Sequence, residues 1–279
     1  MKITITEEIS LLELLKKQFP DSSNNTLKSW VEKERITVDG RVAKKSNQIV
    51  RVGETVEMGQ KAHFINYDVR IFHEDAHLVV IYKPEGLLSV DTDTDATISA
   101  HEILKRRAPS PKVYPVQRLD RETSGIMVFA YTEAARDGLK KQFEEHSIER
   151  EYSAIIEGTL AEKKGVWKSY LKEDSNFFVR STHSEDEGKL SVTHYEVVQE
   201  AKGRSLMRFR LETGRKNQIR VHCKEAGHPI AGDKKYGATT NPAKRLCLHA
   251  CKLGFIHPIT KQSHSFSIPL PDAFFKLFK

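Results

Sequence analysis

Apolar residues recur at helical spacing near the start of the chain: Leu11, Leu12, Leu15 and Phe19 share one face, and Pro20 ends the run. A second short helix follows, with Leu27, Trp30 and Val31 at i, i+3 and i+4 while Lys28, Ser29, Glu32 and Lys33 face elsewhere. Next come ITV, Asp39-Gly40 and RVA, a hairpin pattern, because Asp-Gly accepts the positive φ angles of a turn matched to strand twist. These elements predict a small α/β unit over residues 1–60, its regular pattern ending near Val56. From Gly59 to Asp68 the chain is polar and irregular, and reads as a flexible linker.

Residues 69–279 form a second unit of different texture. HLVVIYKPEGLLSV predicts a buried strand running into a Pro-Glu-Gly turn. Thr132 is placed to cap a helix in which Ala135, Leu139 and Phe143 lie one turn apart. EYSAIIEG, SVTHYEVV, LMRFRLE, QIRVHC and LCLHACKLGF predict further strands, so the unit is rich in β structure with few helices.

Composition narrows the setting. A chain of 279 residues with 38% apolar content can bury a large core. MKITITEEIS lacks the pattern of a secretory signal, and runs such as LVVIY are too short to span a bilayer, so the expected location is the cytoplasm and no membrane partner is expected. Cys223, Cys247 and Cys251 are too few and odd in number for a disulfide framework. Charge is unevenly spread. Ala201 to Lys261 holds 14 Lys and Arg against 3 Asp and Glu, a surplus of +11 against +7 for the whole chain. Such a block attracts polyanions, although a solvated basic face has the same composition.

The segment VQRLDRETSGIMVFA places Asp120 between Arg118 and Arg121 and then turns through Thr123-Ser124-Gly125 into an apolar strand. A carboxylate there is ionised at neutral pH and can act as a nucleophile; a surface ion pair or a turn cap has the same local pattern. Arg118-Leu119-Asp120 followed by Arg121, Glu122, Thr123, Ser124 and Gly125 resembles the signature of RluA-type RNA pseudouridine synthases. IFHEDAHLVVIYKPEGL, QFEEHSIEREYSAIIEG, ETGRKNQIRVHCKEAGHPIAGDKKYG and LHACKLGFIHP are similar to further segments of that family, in its order. Gln117 stands where the family usually has His; that His does not supply the nucleophile, so the departure bears on RNA positioning.

The resemblance implies an α+β catalytic domain with a long mixed, mainly antiparallel sheet and a basic cleft crossing it. It implies an isomerase that breaks the uridine glycosidic bond, rotates the uracil and reattaches it through carbon, with no cofactor and no metal. Asp120 becomes the catalytic carboxylate, Tyr152 a ring to stack on the uracil and exchange a proton, and Arg220 a cation that pairs with Asp120. Arg118, Arg121, Arg215 and Lys216 are the candidate RNA contacts near the site. TLKSWVEKERITVDGRVAKKSNQIVRVGETVEM resembles the small αL RNA-binding module first known from ribosomal protein S-four, although ISLLELL departs from its usual RLD-like opening. In that module a recognition helix would start near Thr26, and Lys28, Lys33, Arg35, Arg41, Lys44 and Lys45 are candidates for phosphate contacts. The implied partner is ribosomal or transfer RNA, no protein partner is implied, and a monomer is the default.

Three other readings compete. Cys247, His249 and Cys251 alternate along a strand, but no C-x-x-C accompanies them. His183-Ser184-Glu185 fits the H-x-E of zinc-dependent base deaminases, whose P-C-x-x-C is missing. A non-catalytic RNA-binding protein on the same fold is the third, and retention of Asp120, Tyr152 and Arg220 argues against it.

Overall fold

Leu11, Leu14 and Leu15 of the first helix turn into a small core that also takes Leu27, Val31, Ile36, Val50 and Val56. The computed structural model describes residues 2–32, 35–58, 63–64, 68–91, 98–107, 112–182 and 184–278. Around this core lie β1 (Lys2–Thr4), β2 (Ile9–Ser10), α1 (Leu11–Gln18), α2 (Asn24–Glu32), β3 (Ile36–Val38), β4 (Arg41–Val42), β5 (Ile49–Val50) and β6 (Thr55–Met58). Ser10 and Glu13 form a reciprocal capping box that starts α1. The second helix begins at Asn24, two residues ahead of the expected start, and Ser23 Oγ accepts from Thr26 N at 3.1 Å. Asp39 and Gly40 adopt φ 48° and 72°, the double left-handed turn their types predict, and join β3 to β4.

A larger sheet of 12 strands makes up the rest of the molecule. In chain order its elements are β7 (His63–Phe64), β8 (Arg70–Glu74), β9 (Leu78–Lys83), α3 (Ala100–Arg107), β10 (Tyr114–Pro115), β11 (Ser124–Ala130), α4 (Glu133–Glu144), β12 (Glu149–Glu157), β13 (Lys164–Glu173), β14 (Val179–Thr182), β15 (Lys189–Ala201), β16 (Arg204–Leu211), α5 (Gln218–Glu225), β17 (Leu248–Ile256), β18 (Ser263–Ser267) and α6 (Asp272–Phe275). The strands run β14-β13-β15-β16-β12-β17-β11-β9-β8-β7, with β10 on β11 and β18 on β17. Among the named strands only β11 and β17 pair in parallel. The architecture is the expected α+β type with a mixed, mainly antiparallel sheet.

Both faces of the central strand are covered, which is why SGIMVFA reads as an unbroken apolar run. Met127 and Phe129 pack with Ile103 and Leu104 of α3, whereas Ile126, Val128 and Ala130 pack with Ala135 and Leu139 of α4. Thr132 caps α4, accepting from Ala135 N at 3.3 Å, as its sequence predicts.

Two expectations need correction. QIRVHC is not a strand but the body of α5. Its apolar and polar residues alternate, yet Gln218 through Cys223 are all buried, so the alternation does not mark a wet and a dry face. Partners inside the protein satisfy the polar members: Gln218 meets Thr213 and Thr193, and His222 meets Thr193 and Ser169. The stretch from Gly59 to Asp68 is also not wholly linker, because His63–Phe64 pairs with β8 and extends the sheet edge. The neighbouring positions 59–62 and 65–67 lie outside the described residues.

Candidate active site

The loop bearing Asp120 enters β11 at the centre of the sheet and is pinned on several sides. Ser89 Oγ donates to Leu119 O at 2.7 Å and accepts from Leu119 N at 3.0 Å. Arg121 O accepts from Gly86 N at 2.8 Å and from Lys83 Nζ at 3.1 Å, and Arg121 Nε donates back to Gly86 O at 3.1 Å. Thus KPEGLLS and RLDRETS, distant in sequence, fold into one clamp. Lys83 is fully buried, and its remaining N–H groups reach Leu87 O at 2.7 Å and Pro84 O at 2.9 Å. Burial pushes this amine down to about 7 against the opposing pull of Asp120 and Glu122.

Gly125 permits the next step of the architecture. Its φ is 135°, and a Cβ there would stand 2.3 Å from Ala250 O. Without a side chain, β11 approaches β17 closely enough to pair in parallel. Gly125 is in register with Ala250, and Ala250 with Tyr152 on β12, so the phenol stands two strands across from the start of β11. Burial raises the pKa of Tyr152, the nearby Arg150 opposes that and Asp120 adds to it. The ring is therefore a neutral phenol at physiological pH.

Arg220 comes from α5, and its side chain is only 7% exposed. Nη1 donates to Asp120 Oδ2 at 3.2 Å and stands 3.7 Å from Glu122. Nε and Nη2 donate to the two oxygens of Asp233, each at 2.7 Å. Burial would lower the arginine's pKa, but the two bonds and charge of Asp233, then those of Asp120, raise it above its ordinary value. Tyr236 lies beneath the guanidinium at 5.1 Å. Asp233 and Tyr236 stand in the run GDKKYG, where sequence reasoning gives them no role, and it gives none to Lys83 or Ser89. Their chemistry is intramolecular, and a lone Asp, Tyr, Lys or Ser offers no local signal for it.

The expected residues divide into two groups in space. Arg118, Arg121, Arg215 and Lys216 line, with Asp120 and Arg220, a cleft of about 480 Å³. Those four basic side chains are exposed, whereas the Asp120 side chain keeps 26% exposure, enough to meet a group that enters. Gln117 Nε2 is buried with no hydrogen-bond partner. In the N-terminal unit Lys28 and Lys45 are exposed, Arg35 packs on Trp30 at 5.0 Å, and Lys33 lies outside the described residues. Arg41 stacks on Phe275 at 4.9 Å and Lys44 pairs with Asp272 at 3.0 Å, so both meet the C-terminal helix. None of these N-terminal residues lines the cleft.

A carboxylate in a basic cleft, held by a buried guanidinium and sharing a smaller adjoining recess with a neutral phenol, suits attack on a polyanionic substrate. The sequence pattern of RNA pseudouridylate synthase matches residues 77–225, which includes Asp120, Tyr152 and Arg220. The chain belongs to the RNA pseudouridylate synthase family. It is an isomerase of the RluA type whose substrate is RNA. Ribosomal large subunit pseudouridine synthase D of Pasteurella multocida is 32% identical over 99% of this chain and 94% of its own length. An uncharacterised RNA pseudouridine synthase of Bacillus subtilis, YhcT, is 35% identical over 90% of this chain and 86% of its own length. Among solved structures, human RNA pseudouridylate synthase domain containing 4 shares the fold, with a TM-score of 0.61 at 24% identity over 74% of this chain and 90% of that one.

His249 Nδ1 lies 2.7 Å from Ser124 Oγ inside the core, and among the described residues no group of three or more His, Cys, Asp or Glu is arranged to hold a metal ion. His183 of the H-x-E run lies outside the described residues. No helix of the described residues is long and apolar enough to cross a membrane.

Proposed function

We propose that this synthase isomerises selected uridines of large-subunit ribosomal RNA in the cytoplasm, with Asp120 as the catalytic carboxylate. The observation that carries the reading is the Asp120–Arg220 contact of 3.2 Å on the floor of the basic cleft. The ribosomal substrate is supported by the relative from Pasteurella multocida, whose likeness runs through 99% of this chain.

The target uridine must leave its stack to reach Asp120, at a cost of a few kcal/mol. Arg118, Arg121, Arg215 and Lys216 offset that cost by holding the flanking phosphates. Asp120 then acts on the base or the sugar, or assists elimination across the sugar, and the bond from C1′ to N1 breaks. The uracil turns within the pocket and C5 bonds to C1′. The C5 proton leaves last and N1, freed from the sugar, takes one up, so no atom is gained or lost. Arg220 holds the carboxylate in place and aimed as RNA displaces water. Tyr152 stacks on the uracil and, once the C5 proton is acidic, relays it.

The N-terminal unit serves in this reading as an αL-type RNA grip covering residues 1–60, joined to a catalytic domain over 69–279. Lys28, Lys33, Arg35 and Lys45 contact phosphates on RNA outside the cleft.

Pseudouridine mapping of total RNA tests the proposal. Deleting the gene removes the modification at one or more large-subunit ribosomal positions; wild type restores it and Asp120→Asn does not. Loss at transfer RNA positions would overturn the substrate, and an unchanged map would overturn the activity.

A further inference from the structure

Phe177 sits where neither its backbone nor its side chain is at ease. Its φ is 58°, a left-handed conformation that strains a bulky residue and favours Gly or Asn. The residue is also 71% exposed, more than any other large apolar residue described.

The turn between β13 and β14 is built to hold it there. Asp174 N donates to Phe178 O at 2.9 Å, and Asp174 O accepts from Phe177 N at 3.0 Å. The Asp174 carboxylate accepts from Asn176 N and Phe178 N at 2.9 and 3.0 Å. Phe178 is the anchor: its ring packs on Tyr236 with centroids 4.8 Å apart, and Tyr236 supports Arg220. The turn is therefore keyed to the same arginine that holds Asp120, and Phe177 is what it presents outward.

The ring's neighbours are cations that lead into the cleft. Lys216 Nζ stands 5.4 Å from the ring centroid and pairs with Glu173, while Lys235 Nζ donates to Phe177 O at 3.2 Å. Both lysines line the cleft that holds Asp120. An exposed aromatic face beside ammonium groups is the arrangement that binds unstacked nucleotides, because phosphates take the cations and a base takes the ring. A turn serving only to connect two strands gains nothing from Phe at this position.

We propose that Phe177 is a stacking platform for a base flanking the target uridine, with Lys216 and Lys235 holding the adjoining phosphates. The assignment rests on the reading that the Asp120 cleft takes RNA, and it adds an RNA-binding contact outside the reacting centre.

The test compares Phe177→Ala, Phe177→Leu, Phe177→Trp and Phe177→Gly, each in an Asp120→Asn background, for binding to a large-subunit ribosomal RNA transcript and to short oligouridylate. Ala, Leu and Gly weaken binding by about tenfold or more, while Trp retains it. Gly relieves the strain, so that variant melts no lower than its parent and still binds weakly, a combination that a structural role does not produce. In turnover with Asp120 restored, the loss falls on KM rather than kcat. Wild-type affinity in Phe177→Leu, or weak binding in Phe177→Trp, overturns the platform. If the wild type forms no pseudouridine in ribosomal RNA, the substrate reading fails, and the oligouridylate series still judges the ring.

Discussion

Arg220 donates to Asp120 at 3.2 Å with one nitrogen while its other two donating nitrogens are committed to Asp233 at 2.7 Å. Two shorter bonds set the guanidinium plane, and the third position then points at the carboxylate. A lysine has no such fork and cannot reach both acids in one geometry. Arg220→Lys is expected to lower kcat by about 100-fold, the scale of a misplacement near 1 Å, with a much smaller change in RNA affinity. Single-turnover kinetics alongside a binding isotherm separate the two effects, and equal losses in both would contradict the positioning role.

Asp233 has a fully buried side chain and takes two bonds from Arg220. Removing it strands a buried cation, so Asp233→Ala is expected to destabilise the fold by about 3 to 5 kcal/mol. Denaturant unfolding measures this directly, and a loss under about 1 kcal/mol would show that Asp120 alone can hold the charge.

Lys83 ties Pro84, Leu87 and Arg121 together through their carbonyls. Lys83→Met fills much of the same space but takes this donor from the Pro84 and Leu87 carbonyls and leaves Arg121 O with Gly86 N alone, at a cost of about 1 to 3 kcal/mol. Because one of those carbonyls is the neighbour of Asp120, kcat should fall by about tenfold while RNA binding holds. A variant that melts early but turns over normally would detach this clamp from catalysis.

Burial keeps the His222 imidazole neutral, with its pKa pushed down to about 4. An unfolded histidine titrates near ~6.5, so between those values the unfolded chain binds a proton that the folded chain refuses. Stability contributed by this residue is present above pH ~6.5 and is lost as pH falls toward 4, by at most about 3 kcal/mol. The stability advantage of wild type over His222→Gln should therefore shrink across that range. Melting temperatures recorded from pH 7 to pH 4 check it, and a constant gap would mean that the site accepts the proton.

Much of the fold was legible because local patterns and tertiary demands agree. The hairpin at Asp39-Gly40, the Thr132 cap and the strand EYSAIIEG depend on turn angles, capping groups and apolar runs that neighbouring residues supply. QIRVHC reads as a strand in sequence because a helix buried all round has no solvent face for a periodicity to reveal. The edge strand at His63–Phe64 was missed because two residues carry no period at all, and their pairing is decided by the free edge of β8.

For the site, the chain by itself determined the nucleophile candidate, its arginine and its tyrosine, since those stand in family-specific runs whose residue types carry the reaction. Tertiary structure alone decided that Asp233 and Tyr236 orient Arg220, that Lys83 and Ser89 grip the Asp120 loop, and that Phe177 stands beside Lys216 and Lys235, which line the cleft. Each of those roles is a distance between residues far apart along the chain, and a distance of that kind exists only once burial and strand pairing have chosen who meets whom.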